Sequence, residues 1–264
     1  MSSERYLPES LRAGQAHDAV LHTRNKIILA DFDSPTLRER VIRRLWTRVS
    51  SLRAAALGRS RPAVVVSEQL IENALLLREM DASVRKTLDF GGFESTLPLA
   101  LASLGVDVTV LDQRRYPFQH ERLHVLQHDI LQPITTLPSD FDLVYSISTI
   151  EHVGLGDYGD PRAPHGDAVA VTHLWEKVRP GGRLFLSVPA GEGSEQRGYR
   201  IYAPDRVAAL LPVPGQIRYF RKLGRYATWQ ECTAQEIARH RHPSHDTDFP
   251  VEGVAIAIAR KPVA

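Results

Sequence analysis

The stretch Thr87-Leu-Asp-Phe-Gly-Gly-Phe-Glu-Ser-Thr96 decides the fold of this 264-residue chain. It begins with β-forming residues, includes an acid at Asp89, and passes through the pair Gly91 and Gly92 into a sequence typical of a helix. A strand that turns into a helix is the repeating unit of doubly wound α/β sheets, and ligands lie at the first such turn. Because glycine has no Cβ, this pair lets the backbone approach a ligand closely. The stretch therefore predicts a ligand site where the first strand ends.

Short runs rich in β-forming residues recur downstream and alternate with predicted helices over 96–104, 167–178 and 205–211. Nearly continuous apolar strands in such an alternation indicate a parallel sheet covered on both faces. We therefore predict a doubly wound, mostly parallel, seven-stranded α/β sheet with a terminal antiparallel strand pair. The predicted strands are Thr87–Phe90, Val106–Asp112, Leu123–Gln127, Asp142–Ser146, Arg183–Pro189, Gln216–Arg221 and Gly253–Lys261.

On the N-terminal side, the sequence predicts a helical extension. A helix is expected from Glu68 to about Met80. We divide the chain into an N-terminal arm and helical cap over residues 1–80 and an α/β domain over residues 81–264. The residues expected on the buried side of the helix are apolar, namely Leu70, Ile71, Ala74, Leu75 and Leu77.

An earlier predicted helix, between Ser34 and Pro62, is strongly basic. Its stretch Arg38–Arg61 carries eight arginines and a single acid, Glu39. Such a face suits nucleic acid or an anionic membrane surface. The interpretation that we favour is a solvated face on a packing or dimerisation helix, which keeps a homodimer among the expectations.

Composition places the chain among soluble globular proteins, since 43% of its residues are hydrophobic and 24% are charged. A formal net charge of +2 creates no overall demand for a polyanionic partner. No apolar run approaches the roughly 20 residues of a membrane-spanning helix. The charged N-terminus lacks a signal-peptide core, and Cys232 is the single cysteine, so we expect a cytoplasmic protein.

Two further acids follow predicted strands. Asp112 lies 23 residues after Asp89, close to the roughly 20-residue spacing at which a carboxylate reaches ribose hydroxyls. Asp129 stands at the end of the next strand, where it can accept a hydrogen bond from an exocyclic amine. Each acid is equally compatible with a helix cap or a turn. Their order on consecutive strands favours a nucleoside site.

Residues 87–189 resemble class I S-adenosylmethionine-dependent methyltransferases. The resemblance rests on five segments in the family's order: Asp89-Phe-Gly-Gly, Val-Leu-Asp112-Gln, His-Asp129-Ile, the strand and loop from Phe141 to Val153, and the Pro-Gly-Gly turn and strand within Leu174–Ser187. One departure is that Phe93 and Ser95 stand where the family usually has its second and third glycines. Glu94-Ser95 variants of this turn are familiar in branches associated with sugars, polysaccharides and natural products.

The resemblance implies S-adenosylmethionine as the cofactor. The residues expected to hold it lie at the strand ends and are Asp89, Phe90, Gly91, Gly92, Asp112, Gln113, Asp129, Ile130 and Ser146.

The acceptor pocket is expected beyond the fourth strand, at Glu151 and His152. Methyl transfer is an in-line displacement, so the protein orients two reactants and removes a proton from a hydroxyl acceptor. His152 is the candidate base because its ordinary pKa lies near neutrality, and Glu151 is placed in the catalytic site beside it. A histidine that holds the turn or faces the cofactor is the alternative. Residues expected to contact the acceptor are Asp157, Tyr158, Asp160, Arg200 and Tyr202.

The same loop suggests a metal alternative. Oxygen and imidazole groups that suit a divalent ion follow one another there, namely Glu151, His152, Asp157, Asp160, His165, Asp167 and His173. The Glu-His pair resembles part of the metal motif of RNA 3′-terminal 2′-O-methyltransferases, but Ser148 stands at that motif's first glutamate. We predict no metal.

The sequence therefore predicts a methyltransferase whose acceptor is a small polar molecule, with a hydroxyl of a sugar-bearing or natural-product metabolite preferred. RNA methylation through the arginine stretch and a non-catalytic protein with this fold are the alternatives. The turn after the first predicted strand lacks the Gly-x-Gly-x-x-Gly spacing, and no Gly-x-Ser-x-Gly motif occurs in the chain, which disfavours nicotinamide dehydrogenases and serine hydrolases.

Overall fold

A computed structural model describes residues 67–156, 162–196, 198–223, 228–242 and 251–263. Its described strands are β1 (Lys86–Phe90), β2 (Asp107–Asp112), β3 (Leu123–Gln127), β4 (Phe141–Ile147), β5 (Val178–Pro189), β6 (Ser194–Gln196), β7 (Tyr199–Ile201), β8 (Gln216–Lys222), β9 (Trp229–Cys232) and β10 (Gly253–Arg260). Eight of them form one sheet in the order β3-β2-β1-β4-β5-β10-β8-β9.

The sheet is parallel from β3 to β5 and antiparallel beyond it. Strand β10 pairs antiparallel with both β5 and β8. The predicted mostly parallel sheet with a terminal antiparallel pair is therefore confirmed. The predicted number of seven strands is one too low, because β9 pairs with β8 at the edge of the sheet. Its four residues are too few to show an alternating pattern, and only two of them are partly buried.

Helices cover both faces of the sheet. The described helices are α1 (Gln69–Arg78), α2 (Leu97–Ser103), α3 (Gly166–Lys177), α4 (Pro204–Leu210) and α5 (Ala234–Ile237). On one face, Leu76 of α1 and Leu101 of α2 belong to the same apolar cluster as Phe185 of β5. On the other face, Leu174 of α3 and Leu210 of α4 belong to a second cluster. Because both faces are covered, the apolar residues of the central strands are buried whichever face they point to, as at Leu88, Val110 and Val144.

Helix α1 lies where the sequence predicts it but turns a different side inward. Its buried residues are Gln69, Glu72 and Leu76. Leu70 and Leu77 are 47% and 46% exposed. Three of the residues predicted to be buried, Leu70, Ala74 and Leu77, were therefore assigned to the wrong side.

Arg183 of β5 links the C-terminal end of α1 to the sheet through hydrogen bonds. Its guanidinium donates to the Glu79 carboxylate at 2.9 Å and to the Glu79 carbonyl at 2.8 Å. It also reaches the Asp81 carboxylate at 2.9 Å. Because Arg183 is largely buried, these bonds hold α1 in a fixed position against the sheet.

The basic stretch Arg38–Arg61 lies outside the described residues, so the expectations attached to it stay predictions. Within the ranges that the structure describes, no helix has the length and apolar character needed to cross a membrane.

Candidate functional site

A cavity opens at the carboxyl ends of β1, β2 and β4, which is where the sequence places the ligand site. Its space is about 1090 Å³, which includes the open mouth. One side is lined by residues at or after the ends of β1, β2 and β3: Asp89, Phe90, Gly91, Gly92, Glu94, Ser95, Asp112, Gln113, Arg114 and Ile130. The other side is lined by α1 and the loop after β4: Gln69, Asn73, Ile147, Ser148, Thr149, His152 and Val153.

The turn after β1 requires glycine at both positions. Gly91 has a φ of +84°, and a Cβ added there would overlap the Thr149 side chain. A Cβ added to Gly92 would lie 2.7 Å from a carboxylate oxygen of Asp89. Glycine is therefore needed because the turn packs against the β4 loop and against its own strand-end acid.

Asp112 is held rigidly at the cavity wall. Its Oδ2 accepts a hydrogen bond from the backbone N–H of Phe93 at 3.2 Å, and its Oδ1 accepts one from the backbone N–H of Arg114 at 2.9 Å. Oδ1 also accepts a hydrogen bond from Nε of Arg114 at 3.4 Å. Since a carboxylate has about four lone-pair positions, one on Oδ2 remains for a ligand. The β1 turn and the β2 end thus orient a single carboxylate toward the cavity.

Phe93, which replaces a family glycine, does not line the cavity. The Arg114 guanidinium lies 4.1 Å from the centre of its ring, and Arg114 also contacts Glu94 at 3.3 Å. The aromatic ring is therefore part of a cation–π stack beside the turn and leaves the cavity open.

Asp89 is buried beneath the turn. Burial raises the pKa of its carboxyl to about 8, with the negative charge of Asp112 acting in the same direction and the Tyr145 phenol opposing it. A carboxyl of this kind is converted to its ionised form by a nearby positive charge. The site is thus suited to a cationic ligand group.

The other predicted cofactor residues lie in the cavity lining on the β1 and β2 side or directly behind it. Ile130 supplies a buried apolar surface, and Gln113 lines the cavity with its Nε2 3.5 Å from Oδ1 of Asp129. Asp129 itself lies behind Gln113 and accepts the backbone N–H of Leu131 at 3.0 Å. Ser146 is buried beneath Phe90, whose carbonyl accepts its hydroxyl at 3.3 Å.

His152 lines the cavity at the end of a short helical turn, Ile150–His152. Its Nδ1 is in hydrogen-bond contact with the carbonyl of Gly198. A carbonyl only accepts, so Nδ1 carries a proton in this contact, and Nε2 is the ring nitrogen that can take up or release a proton. Glu151 is buried, with an oxygen 3.9 Å from that Nε2, which is beyond hydrogen-bond distance.

Arg200 and Tyr202 lie behind this turn, within a buried network around Asp167. Arg200 donates to the Val153 carbonyl at 2.8 Å, and the Tyr202 hydroxyl donates to Asp167 at 3.0 Å. Arg206 contacts the same carboxylate at 2.9 Å. Neither Arg200 nor Tyr202 lines the cavity, and both are more than nine-tenths buried. They support the loop that carries His152.

The remaining acceptor and metal expectations concern the segment after this loop. Asp157, Tyr158 and Asp160 lie outside the described residues. Among the residues that are described, no three His, Cys, Asp or Glu side chains are placed to hold a metal ion. His173 instead contacts the Ile130 carbonyl through Nδ1 at 2.7 Å.

Sequence reasoning missed the contribution of α1. Gln69 and Asn73 line the cavity, and between them Glu72 accepts hydrogen bonds from the hydroxyls of Ser148 at 2.7 Å and Ser187 at 2.8 Å. The sequence does contain a pattern that indicates this contribution: Gln69, Glu72 and Asn73 stand at positions i, i+3 and i+4, which share a helix face.

Comparisons with known proteins find a family model and curated relatives that are similar to parts of the chain. A family model described as "Caenorhabditis protein of unknown function, DUF268" matches residues 102–245. The "Ubiquinone biosynthesis O-methyltransferase" of Pseudomonas aeruginosa (strain UCBPP-PA14) is 30% identical over 137 residues, which are 48% of this chain and 54% of that protein. The chain thus spans about half the length of the curated relatives it matches.

Solved methyltransferase structures are also similar to the chain. The 1,6-didemethyltoxoflavin-N1-methyltransferase of Burkholderia thailandensis has a TM-score of 0.47 at 17% identity, covering 87% of this chain and 93% of its own. A SAM-dependent methyltransferase from Archaeoglobus fulgidus has a TM-score of 0.49 at 14% identity, covering 80% and 99%.

Proposed function

We propose that this chain, which belongs to the family described as "Caenorhabditis protein of unknown function, DUF268", transfers a methyl group from S-adenosylmethionine to a hydroxyl of a small polar acceptor. The observation that carries the proposal is that one cavity brings together Asp112, the glycine turn after β1 and His152. Similarity to curated O-methyltransferases, which extends along about half of the chain, supports the same activity.

The β1 and β2 side of the cavity fits the cofactor. The lone-pair position left on Oδ2 of Asp112 suits a hydroxyl of a ribose. Asp89, whose pKa is raised by burial, suits a ligand with a positive charge, and the cofactor carries both an ammonium and a sulfonium. Ile130 provides an apolar surface for the adenine ring. A hydrogen bond from the adenine amine to Asp129 stays a prediction.

When bound, the cofactor supplies an electrophilic methyl group on its sulfonium. Nε2 of His152 accepts the proton of the acceptor hydroxyl, since the Gly198 carbonyl holds the ring proton on Nδ1. Arg200 fixes the loop beneath His152 through the Val153 carbonyl. The chain's part in the reaction is thus to align two reactants and to take up one proton.

Calorimetry with S-adenosylhomocysteine tests the cofactor half of the proposal. We expect Asp112→Asn to lose about tenfold or more in affinity, because hydrogen bonds to a charged carboxylate are lost. Asp140→Asn is the matched control, since this exposed aspartate pairs with Lys86 on the surface. Absence of binding by folded wild-type protein, or equal binding by Asp112→Asn, would contradict the proposal and favour the non-catalytic alternative.

Transfer of a labelled methyl group to a metabolite extract tests the reaction itself. His152→Gln should lower turnover by about 10²-fold or more while S-adenosylhomocysteine affinity is retained, because a general base contributes to the chemical step. Unchanged turnover in this variant would remove His152 from the mechanism. Labelled RNA in place of a labelled small molecule would favour the nucleic-acid alternative.

A further inference from the structure

The first residue after β4, Ser148, has a strained backbone. Its φ is +45°, and among the residues that the structure describes it is the only non-glycine with a positive φ. In this left-handed region the Cβ of an L-residue crowds the following carbonyl oxygen, so the conformation persists only where surrounding contacts enforce it. Ser148 also lines the cavity. An unfavourable conformation is therefore maintained at the wall of the site.

Hydrogen bonds to two other elements enforce this conformation. The backbone N–H of Ser148 donates to the hydroxyl oxygen of Ser187 in β5 at 3.1 Å and to its carbonyl at 3.2 Å. The Ser148 hydroxyl donates to Oε1 of Glu72 in α1 at 2.7 Å, and the Ser187 hydroxyl donates to the same oxygen at 2.8 Å. Glu72 and Ser187 are fully buried, so water does not compete for these bonds. Glu72, Ser148 and Ser187 together form the Ser148 clamp.

The segment after Ser148 has both of its ends fixed, which explains the strain. Before it, β4 is paired with β1 and β5. At its far end, Arg200 of β7 donates to the Val153 carbonyl at 2.8 Å, and the Gly198 carbonyl contacts Nδ1 of His152. The chain must therefore change direction between β4 and β7 within a few residues. The left-handed conformation of Ser148 provides that change of direction.

The segment between these fixed ends carries two residues of the cavity wall. Thr149 occupies the space that a Cβ on Gly91 would fill, so its side chain packs against the turn after β1. His152 lines the cavity three residues further on. A change of Ser148 to a negative φ would reorient both residues relative to that turn. The conformation of one residue thus determines how the β4 loop faces the β1 side of the cavity.

We propose that Ser148 is a positioning residue and that the Ser148 clamp sets the orientation of His152 toward the β1 side of the cavity. This inference rests on the proposed function, in which His152 takes up the proton of the acceptor. Neither Glu72 nor Ser187 lines the cavity, so both act through Ser148. Since transfer depends on the alignment of the reactants, release of the clamp should slow the reaction more than it weakens cofactor binding.

Ser148→Ala and Ser148→Gly separate the strain from the hydroxyl. Both variants lose the bond to Glu72, but only alanine retains the Cβ that makes a positive φ unfavourable. In protein with isotope-labelled histidine rings, NMR reports the surroundings of His152, whose signal is assigned by its absence from His152→Gln. We expect Ser148→Ala to shift that signal and to lower methyl transfer to the metabolite extract by about tenfold or more. Ser148→Gly should lie closer to wild type in both measurements and melt about 2 to 4 °C above Ser148→Ala.

Gly105→Ser is the matched control, because it introduces the same kind of strain away from the site. Gly105 has a φ of +93° and no atom within 4 Å of an added Cβ, and it precedes β2 at the end of the sheet opposite to the cavity. This variant should melt at a lower temperature than wild type yet keep the His152 signal and the rate of transfer. Thermal melts establish that Ser148→Ala is folded, and Glu72→Gln, which weakens the same clamp, is the second variant if it is not.

The proposal is overturned if Ser148→Ala, or Glu72→Gln in its place, leaves the His152 signal unchanged, or if Ser148→Gly melts no higher than Ser148→Ala. It also fails if Gly105→Ser shifts the signal equally, or if affinity for S-adenosylhomocysteine falls as much as the rate of transfer. Calorimetric binding of S-adenosylhomocysteine by the wild type is measured first. Because the NMR signal does not depend on turnover, failure of the proposed function and failure of this inference give different results.

Discussion

The two sides of the cavity differ in what fixes them. On the β1 side, the backbone conformation of Gly91 and Gly92 and the backbone N–H groups around Asp112 set the geometry. On the α1 side, the geometry depends on side chains, chiefly Glu72 between two serine hydroxyls. A constraint on the backbone restricts which residues can stand there, whereas a side-chain contact between distant elements leaves little local trace in the sequence.

The largest effect is expected where the backbone itself is constrained. Gly91→Ala should destabilise the fold by about 3 kcal/mol, because a left-handed conformation is strained for alanine and the added methyl overlaps Thr149. Gly105→Ala is the matched control, since Gly105 has a φ of +93° and no atom within 4 Å of an added Cβ. It should cost about 1 kcal/mol. Urea unfolding measures both values, and equal losses would show that the Thr149 contact is unimportant.

On the opposite side, removal of Glu72 tests whether side chains alone hold α1. Glu72→Ala should destabilise the protein by about 2 kcal/mol, because the buried hydroxyl of Ser187 and the partly buried hydroxyl of Ser148 lose their acceptor. Leu70→Ala, on the exposed side of the same helix, should stay within about 0.5 kcal/mol of wild type. Urea unfolding again gives the values. A similar small loss in both variants would mean that Glu72 does not hold the helix.

The contrast also explains which parts the sequence could predict. The β1 turn, the strand-end acids and the parallel sheet follow from local patterns, and the predicted strands lie within a few residues of those observed except for β5, which begins five residues early at Val178. The polar face of α1 was missed because hydrophobic periodicity assumes that apolar residues point inward. Here Gln69 and Glu72 point inward because they meet a polar cavity and two serines, which no local pattern records.

Arg200 and Tyr202 illustrate the same limit. Their residue types suit ligand binding, and the sequence places them near the acceptor. Their burial depends on contacts with Val153 and Asp167, which lie 47 residues from Arg200 and 35 residues from Tyr202 along the chain. Only the assembled fold distinguishes a residue that binds a ligand from one that supports the loop.

A smaller effect on stability is expected from Asp89→Asn, and its sign depends on pH. The pKa of Asp89 is raised from 3.8 to about 8 in the folded protein, so the folded state holds a proton that the unfolded state releases. Wild-type stability should therefore fall as pH rises from about 4 to 8 and then level off. The asparagine variant lacks this loss and should be more stable at pH 7 by about 1 kcal/mol or more.

Melting temperatures between pH 4 and pH 9 measure this difference. Asp107→Asn, an exposed position on β2 paired with Arg122, is the control and should follow the wild-type slope. If Asp89→Asn shows the same dependence of melting temperature on pH as the wild type, another group holds the proton. The same variant should bind S-adenosylhomocysteine more weakly, which would separate a stabilising change from a functional one on the β1 side of the cavity.

The smallest effect is expected at Phe93, although this residue is the clearest departure from the family's glycine motif. Its ring lies against Arg114 outside the cavity, so Phe93→Ala removes an exposed cation–π contact of about 0.5 to 1 kcal/mol. Affinity for S-adenosylhomocysteine should stay within about twofold, because the backbone N–H that Phe93 donates to Asp112 is retained. Calorimetry checks this value. A large gain in affinity would mean that the Phe93 ring obstructs the cofactor. A large loss would mean that the contact between Phe93 and Arg114 fixes Asp112, and that side chains set the geometry on both sides of the cavity.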